Sequence, residues 1–365
     1  FFITEEQVVT PAEILMGAFT DADKIYINGI CCGSSYDRYA SRIYPVAPGI
    51  LRAGENVVCI HLYVFRGRGG AMPGKQYGIR FKKGKERWLD LSGTWDAQIR
   101  KQMEYLPEKT FFNYMASAMF NGMISPVSPY KICAVIYYQG ESDVGHPNRY
   151  ALEFRALVND WRKSWKEKQL PIIYVQLAGF SDGNIKKQGT QWAEFREVQR
   201  QAMEIENTAM VQAYDVGEYN DLHPMDKKAL GMRAALAVHK LVYGEKEECT
   251  GPQVRKIRLD RDKRVYAVFD QPLQTGSKKD GCELVSEVEL RKANGDYKRA
   301  YVTVDGNEIC AWLSDGEEPT GIRYAWKDCP MNICLYGKRG LPVIPFIKEW
   351  GRDAIYTGKI CETDR

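Results

Sequence analysis

The sequence predicts an α/β protein in which a parallel sheet is preceded and followed by β-rich segments. In the middle of the chain, three apolar runs alternate with three segments of helical periodicity. That order builds a parallel sheet with helices on its faces. Before residue 96 and after residue 247, short runs with strand-like alternation are separated by Gly, Asp and Asn turns. The expected domains are therefore residues 1–95, 96–247 and 248–365.

The expected elements of the central domain follow from this periodicity. The three buried strands are predicted at residues 131–138, 171–177 and 208–214, and the helices at residues 149–165, 191–205 and 224–243. Three strands are few for a sheet, which usually has about 4–6. The chain also opens at Phe1 rather than at Met. We therefore expect further strands upstream of Phe1, and expect residues 1–95 to interrupt the α/β domain as an insertion.

Composition excludes several classes of protein. The 365 residues are 27% charged and carry a net charge of +4 from dispersed basic residues, which argues against a nucleic-acid groove. No apolar run approaches the roughly 18 residues of a membrane span, so no membrane partner is expected. The 10 cysteines include no Cys-x-x-Cys pair, and they favour an extracytoplasmic chain with a few disulfides. Cys329 and Cys334, which flank a short turn, are the expected pair.

The candidate catalytic residues lie in loops that follow the predicted strands. In open α/β sheets the reactive groups lie beyond the carboxyl ends of the strands, here after Tyr138, Leu177 and Tyr214. The last of these loops contains His223, with Asp221 two residues earlier. A carboxylate at that spacing can orient an imidazole as a general base, or it can simply form an Asp-x-His turn that caps the following helix. The residues alone leave both interpretations open.

The same loops contain a candidate nucleophile but no convincing set of metal ligands. Ser142, in the run Gly-Glu-Ser after the first strand, imitates a nucleophile turn, but no Gly-x-Ser-x-Gly motif occurs. Two potential ligands without a third cluster do not make a metal site, so neither a metal nor an organic cofactor is expected.

Several motifs in this order resemble the sialate O-acetylesterase family. They lie at residues 120–126 (Phe-Asn-Gly-Met-Ile-Ser-Pro), 136–142 (Ile-Tyr-Tyr-Gln-Gly-Glu-Ser), 191–197, 217–224 (Gly-Glu-Tyr-Asn-Asp-Leu-His-Pro), 322–326 and 340–342. The resemblance implies the SGNH hydrolase fold, a three-layer α/β/α domain that is incomplete in this chain. It also implies that residues 1–95 form the inserted jelly-roll domain of these enzymes and that residues 248–365 form a C-terminal β domain.

The resemblance also assigns roles to residues of two loops. It implies that His223 is the base of a Ser–His–Asp triad and that Asp221 is its acid, although SGNH enzymes generally place the acid where this chain has Asn220. Gln139 would donate its amide N–H to the oxyanion, and Glu141 would hold the loop or contact the sugar. In this interpretation Ser142 is not the nucleophile, and the expected substrate-binding residues are Gly140, Asn121 and Ser142.

The family's Gly-Gln-Ser-Asn block, which carries the nucleophile, is absent from these 365 residues. The resemblance therefore implies the C-terminal part of an esterase that cleaves acetyl esters of sialic acid, inactive until an upstream segment or second chain supplies the Ser. Two alternatives stay open: an acetylxylan esterase, and a catalytically dead protein that binds carbohydrate. The expected partner is an O-acetylated sialic acid or another acetylated glycan.

Overall fold

The structure is a computed structural model that divides into two compact units, Phe1–Tyr114 and Met115–Arg365. It describes residues 1–38, 40–65, 67, 69–84, 87–104, 110–112, 115–181, 188–224, 226–276, 285–350 and 361–362. The boundary expected near residue 247 falls inside the second unit, and the division into three domains stays a prediction.

The first unit is built almost entirely from antiparallel strands. Its elements are β1 (Phe2–Ile3), α1 (Glu5–Val8), β2 (Ala12–Met16), β3 (Ala22–Ile27), β4 (Ile30–Ser35), β5 (Ile43–Val46), β6 (Gly54–Glu55), β7 (Val58–Tyr63), β8 (Tyr77–Phe81) and β9 (Trp88–Asp90). They form sheets of order β5-β2-β8-β9, β4-β3-β7 and β1-β6. The predicted β character of this segment is observed, whereas its assignment as a jelly roll stays a prediction.

The core of the first unit follows from strand alternation. Ile14, Ile25 and Ile79 are completely buried and belong to one apolar cluster. Beside it, Arg42 and Asp23 form an ion pair at 2.6 Å with no exposed side-chain surface. Burying such a pair is costly unless both charges are hydrogen-bonded. Here Arg42 Nε donates to Asp23 Oδ1 at 2.7 Å, whereas Asp23 Oδ2 has no hydrogen-bond partner among the described residues.

The second unit begins with the predicted parallel sheet. Its elements are a π-helical turn (Phe120–Ile124), β10 (Val135–Tyr137), a 3₁₀ turn (Glu141–Asp143), α2 (Pro147–Ser164), β11 (Ile172–Val175), α3 (Gln191–Gln201), a 3₁₀ turn (Ala202–Glu204), β12 (Thr208–Val211) and α4 (Lys227–Tyr243). The strands are parallel in the order β10-β11-β12. The three strands and three helices overlap the predicted segments, although each strand is shorter than its predicted run.

Helices cover both faces of the central strand. All four residues of β11 are buried. Ile172 and Tyr174 pack in a cluster with side chains of α2 and α3, whereas Ile173 and Val175 pack in another with side chains of α4. This burial on two sides explains why the strand reads as a continuous apolar run rather than an alternating one.

The start of α4 differs from the sequence-based prediction. The helix begins at Lys227, three residues after Pro224, because the side chain of Asp226 caps it by accepting the Ala229 N–H at 2.9 Å. The end is as predicted: Gly244 adopts φ 71°, a left-handed conformation that suits glycine.

The rest of the second unit is antiparallel β structure. Its strands are β13 (Val254–Leu259), β14 (Val265–Phe269), β15 (Leu273–Thr275), β16 (Val288–Arg291), β17 (Tyr297–Arg299), β18 (Tyr301–Asp305), β19 (Glu308–Trp312), β20 (Gly321–Tyr324), β21 (Leu335–Gly337), β22 (Phe346–Glu349) and β23 (Cys361–Glu362). The sheets have orders β18-β19-β14-β13-β23, β17-β16-β20-β22 and β15-β21. One apolar cluster contains buried residues of the first two sheets.

The expected Cys329–Cys334 disulfide is wrong. No disulfide joins the two residues, and both are buried. They face different surroundings: the Cys334 sulfur accepts the Ser286 N–H at 3.4 Å, whereas the Cys329 sulfur packs beside Gly179. The other cysteines whose side chains the structure describes form no disulfide either.

Candidate active site

Two of the loops that leave the carboxyl edge of the parallel sheet are packed directly against each other. A Cβ atom on Gly217, after β12, would lie 2.9 Å from the carbonyl oxygen of Gly179, after β11. The Ser181 N–H donates to the Tyr219 carbonyl across the same contact. Glycine at position 217 therefore permits a backbone approach that any side chain would block. The contact fixes the loop that contains His223.

Asp221 and His223 lie side by side in that loop. Asp221 Oδ1 accepts the backbone N–H of His223 at 2.8 Å and lies 3.7 Å from His223 Nδ1. The Asp221 side chain is 8% exposed, whereas the His223 side chain is 55% exposed. The Asp-x-His turn is therefore present, but it does not cap α4, which Asp226 caps. The same carboxylate is also close enough to stabilise a positive charge on the ring.

A buried ion pair fixes the start of the His223 loop. Arg233 of α4 donates two hydrogen bonds to the Asp215 carboxylate, at 2.6 and 2.7 Å, and a third to the Gln212 carbonyl. Burial alone would lower the pKa of Arg233, but the hydrogen bonds and charge of Asp215 outweigh it and raise the pKa. Sequence reasoning missed this pair. Its visible signal was an arginine on the buried face of α4, between Leu230 and Ala237.

Gln139 is held at both ends of its side-chain amide. Its Nε2 donates to Asp143 Oδ2 at 2.8 Å, and its Oε1 accepts the Tyr137 hydroxyl at 2.9 Å. Burial, aided by nearby carboxylates, raises the pKa of Tyr137, so the hydroxyl stays a donor. Because a primary amide has two N–H bonds, the contact with Asp143 leaves one N–H of Gln139 for another acceptor.

Glycine is required immediately after Gln139. Gly140 has φ 151°, and a Cβ atom there would lie 2.8 Å from the Phe195 ring. The next residue, Glu141, is half-buried, and its charge adds to the burial that raises the pKa of Tyr138. Ser142 follows with an exposed side chain. Gln139, Gly140, Glu141 and Ser142 thus form one tight turn at the end of β10.

Asn121 belongs to a different segment from this turn, and its role in binding substrate stays a prediction. It is exposed on the π-helical turn before β10. Ser117 and Phe120 of the same segment line a cavity of about 450 Å³ together with Leu157, Asp160, Trp161, Lys163 and Ser164 of α2. The ring of Trp161 packs 6.0 Å from the ring of Tyr137, whose hydroxyl donates to Gln139.

Helix α3 supplies supporting residues whose roles sequence reasoning missed. Gln199 Oε1 accepts the Leu177 N–H at 2.9 Å and thereby satisfies the backbone just beyond β11. Arg196 is fully buried, and burial lowers its pKa to about 10. It donates to the carbonyl oxygens of Lys327 and Asp328. Arg196 lies in the 191–197 motif, so the motif marked the segment without revealing what its arginine does.

The loop of residues 327–329 is hydrogen-bonded to the segment after β11. Asp328 Oδ1 accepts the Trp192 N–H at 2.8 Å, and the Asp328 carbonyl accepts the Phe180 N–H at 3.2 Å. The Cys329 N–H donates to Gln188 Oε1 at 2.6 Å, and burial raises the pKa of its thiol to about 11. The C-terminal strands are thus joined to the edge of the parallel sheet where the candidate site lies.

Within the residues that the structure describes, no group of three His, Cys, Asp or Glu side chains is placed to hold a metal ion. No helix in the described ranges is both long and apolar enough to cross a membrane.

Comparison with known proteins shows which family the segment that contains this site resembles. Residues 97–240 match the family model described as carbohydrate esterase, sialic acid-specific acetylesterase. The structure is similar to that of a carbohydrate acetylesterase from Xanthomonas citri, with a TM-score of 0.56 and 29% identity, covering 62% of this chain and 52% of that one. The segment matched by the family model includes both the Gln139 turn and the His223 loop.

Relatives of this chain include sialate O-acetylesterases from mammals. The chain is 31% identical over 275 residues to sialate O-acetylesterase of Mus musculus and 28% identical over 260 residues to that of Pongo abelii. These alignments cover 64% and 63% of this chain. The resemblance to the sialate O-acetylesterase family is confirmed. The chain spans about half the length of these relatives, 47% and 48%.

Proposed function

We propose that this chain supplies the base, the acid and one oxyanion donor of a serine O-acetylesterase with an SGNH-like α/β/α domain, acting on acetylated sialic acid. The observation that carries the proposal is the buried Asp221 carboxylate beside the exposed His223 imidazole. A carboxylate near Nδ1 leaves Nε2 as the nitrogen that can exchange a proton with substrate. The pair lies at the sheet edge where α/β enzymes carry their catalytic groups.

The first half of the reaction forms an acetyl-enzyme. A serine oxygen attacks the acetyl carbonyl carbon while its proton moves to His223 Nε2. Asp221 stabilises the imidazolium, and the remaining N–H of Gln139 donates to the oxyanion. When the tetrahedral intermediate collapses, the bond between the carbonyl carbon and the sugar oxygen breaks. The sugar oxygen takes the proton from His223 and leaves as a hydroxyl.

The second half releases acetate. Water attacks the acetyl-serine carbonyl as His223 accepts one of its protons, and the second intermediate forms in the same oxyanion site. Collapse breaks the bond to the serine oxygen, which regains its proton from His223. Acetic acid leaves and ionises to acetate in solution, and the base is neutral again. No group beyond the serine, His223, Asp221 and Gln139 is needed for this sequence.

The open edge of the parallel sheet supports a serine that comes from a segment upstream or from a second chain. β10 is the edge strand of β10-β11-β12, and Ile136 is 58% exposed, although its neighbour Ile173 in β11 is completely buried. Parallel sheets are normally covered on both faces, so an additional strand with its helix fits against β10. The carboxyl end of such a strand would lie next to Gln139, where a nucleophile is needed.

The two alternatives predict different outcomes. An acetylxylan esterase would use the same residues on a neutral polysaccharide, and a dead binding protein would bind acetylated glycan without turnover.

An extracytoplasmic location belongs to the same proposal, since secreted and periplasmic enzymes meet such glycans. The Xanthomonas citri relative supports a carbohydrate ester as substrate in general, and the curated relatives support a sialate.

A serine-reactive phosphonate tests the proposal on protein that includes the upstream segment. We expect one labelled serine, located by mass spectrometry outside residues 1–365, and unchanged labelling after Ser142→Ala. Label on Ser142 would overturn the assignment. So would hydrolysis of an acetyl ester by residues 1–365 alone, because this chain would then contain its own nucleophile.

A further inference from the structure

Lys227 holds an ammonium group beside the turn that contains Gln139. It is the first residue of α4, four positions after His223, and its side chain is exposed. Its Nζ lies 5.6 Å from the centre of the Tyr138 ring. Tyr138 directly precedes Gln139 at the end of β10. The ammonium group therefore lies where the first and third loops of the candidate site approach each other.

No carboxylate of the described chain neutralises this charge. Lys227 has no ion pair among the described residues, in contrast to Lys240, Lys292 and Lys327, each of which has an acidic partner. The nearby Asp226 carboxylate is engaged as the cap of α4. A lysine in the first turn also opposes the helix dipole, so its position gives the helix no electrostatic benefit.

The contact with Tyr138 orients the ammonium group without cancelling its charge. Burial, with the charge of Glu141 nearby, raises the pKa of Tyr138, so the ring remains a neutral phenol. An ammonium near the face of a neutral aromatic ring is attracted by the ring quadrupole and keeps its full positive charge. It can therefore still bind an anionic group that enters the site.

We propose that Lys227 binds the carboxylate of an acidic acetylated sugar and thereby favours it over neutral acetylated sugars. The inference rests on the proposed function, because it places Lys227 in the same site as His223 and Gln139. An esterase for a neutral polysaccharide gains nothing from an unpaired cation here, whereas an enzyme for a sugar acid gains an ion pair. Lys227 acts in this account by binding substrate and takes no part in proton transfer.

The test compares a substrate with and without its negative charge. In protein that includes the serine segment, Lys227→Gln should raise KM for O-acetylated N-acetylneuraminic acid about 10-fold, as expected for one charged hydrogen bond, and leave kcat unchanged. KM for the methyl ester of the same acetylated sugar should not change. Lys227→Arg should retain most of the affinity, and Lys228→Gln, on the exposed neighbouring residue, is the matched control.

The results separate a failure of the role of Lys227 from a failure of the proposed function. An equal rise of KM on the acid and its methyl ester would overturn the inference, since Lys227 would then act by shaping the site. An unchanged KM on both substrates would overturn it too. If His223→Ala abolishes turnover in the same preparation, either result sinks only the role of Lys227. If His223→Ala retains full turnover, the proposed function fails instead.

Discussion

The carboxylate of Asp215 and the guanidinium of Arg233 are joined by two hydrogen bonds of 2.6 and 2.7 Å, with side chains only 0% and 7% exposed. The pair attaches Asp215, four residues after the end of β12, to the middle of α4. The loop between them carries Asp221 and His223, and Asp226 fixes its far end by capping the helix. The position of the candidate base therefore depends on a salt bridge that touches no substrate.

Breaking this pair should cost stability and turnover together. Arg233→Met leaves the Asp215 carboxylate buried and unpaired, which should lower the free energy of unfolding by about 3–5 kcal/mol. Urea denaturation followed by tryptophan fluorescence measures the loss. Arg200→Met is the control, because the partly exposed Arg200–Glu197 pair should contribute no more than about 1 kcal/mol. Equal losses for the two variants would contradict the role assigned to Asp215 and Arg233.

Removing the candidate base should abolish turnover without unfolding the protein. His223→Ala, in protein that includes the serine segment, should lower kcat for a chromogenic acetyl ester by about 10³-fold or more. The melting temperature should stay nearly constant because the side chain is more than half exposed. His239→Ala removes a similarly exposed histidine from α4 and should leave kcat unchanged. Retained turnover in the first variant would remove His223 from the mechanism.

Two substitutions at Asp221 separate its possible roles. Asp221→Asn keeps an oxygen that can accept the His223 N–H, so the turn should persist while the charge beside the ring is lost. We expect kcat to fall by about 10²–10⁴-fold with little change in melting temperature. Asp221→Ala also removes the turn and should cost about 1 kcal/mol of stability in addition. If Asp221→Asn keeps full activity, the carboxylate serves only the turn.

Gln139→Ala should reduce kcat by about 10²–10³-fold with little change in KM, because its N–H bonds the oxyanion more strongly than the substrate carbonyl. Tyr137→Phe is the matched control: it removes the hydroxyl that orients Gln139 but leaves the Nε2 donor in place. Its effect on kcat should therefore be much smaller. A comparable fall in both variants, accompanied by a large loss of stability, would make Gln139 a structural residue.

The parallel sheet and its helices were predictable because their signals are local. A buried strand is a continuous apolar run, and a helix repeats its apolar residues at every third or fourth position. The position of Gly244 also predicted the end of α4. The start of α4 was misjudged because proline favours a first helical turn in general, whereas here the side chain of Asp226 decides where the helix begins.

The sequence predicted the features of the candidate site that lie within a single loop, but not the contacts between loops. The spacing of Asp221 and His223 is visible in the sequence, but the two hydrogen bonds of Gln139 depend on how one tight turn folds. Arg196 and Asp328 are 132 residues apart, and no periodicity relates them. The wrong disulfide has the same origin, since a short spacing between cysteines says nothing about which way each sulfur points.

The hydrogen bonds between α3 and the loop of residues 327–329 have a consequence for how such enzymes can be recombined. A gene fusion that keeps the parallel sheet but joins it to a foreign C-terminal sequence after residue 247 removes the carbonyl oxygens that Arg196 engages. It also removes Gly251 and Pro342, the backbone partners of Gln212. Exchange between homologous genes should therefore yield folded chimaeras only when the parallel sheet and the C-terminal strands come from the same parent.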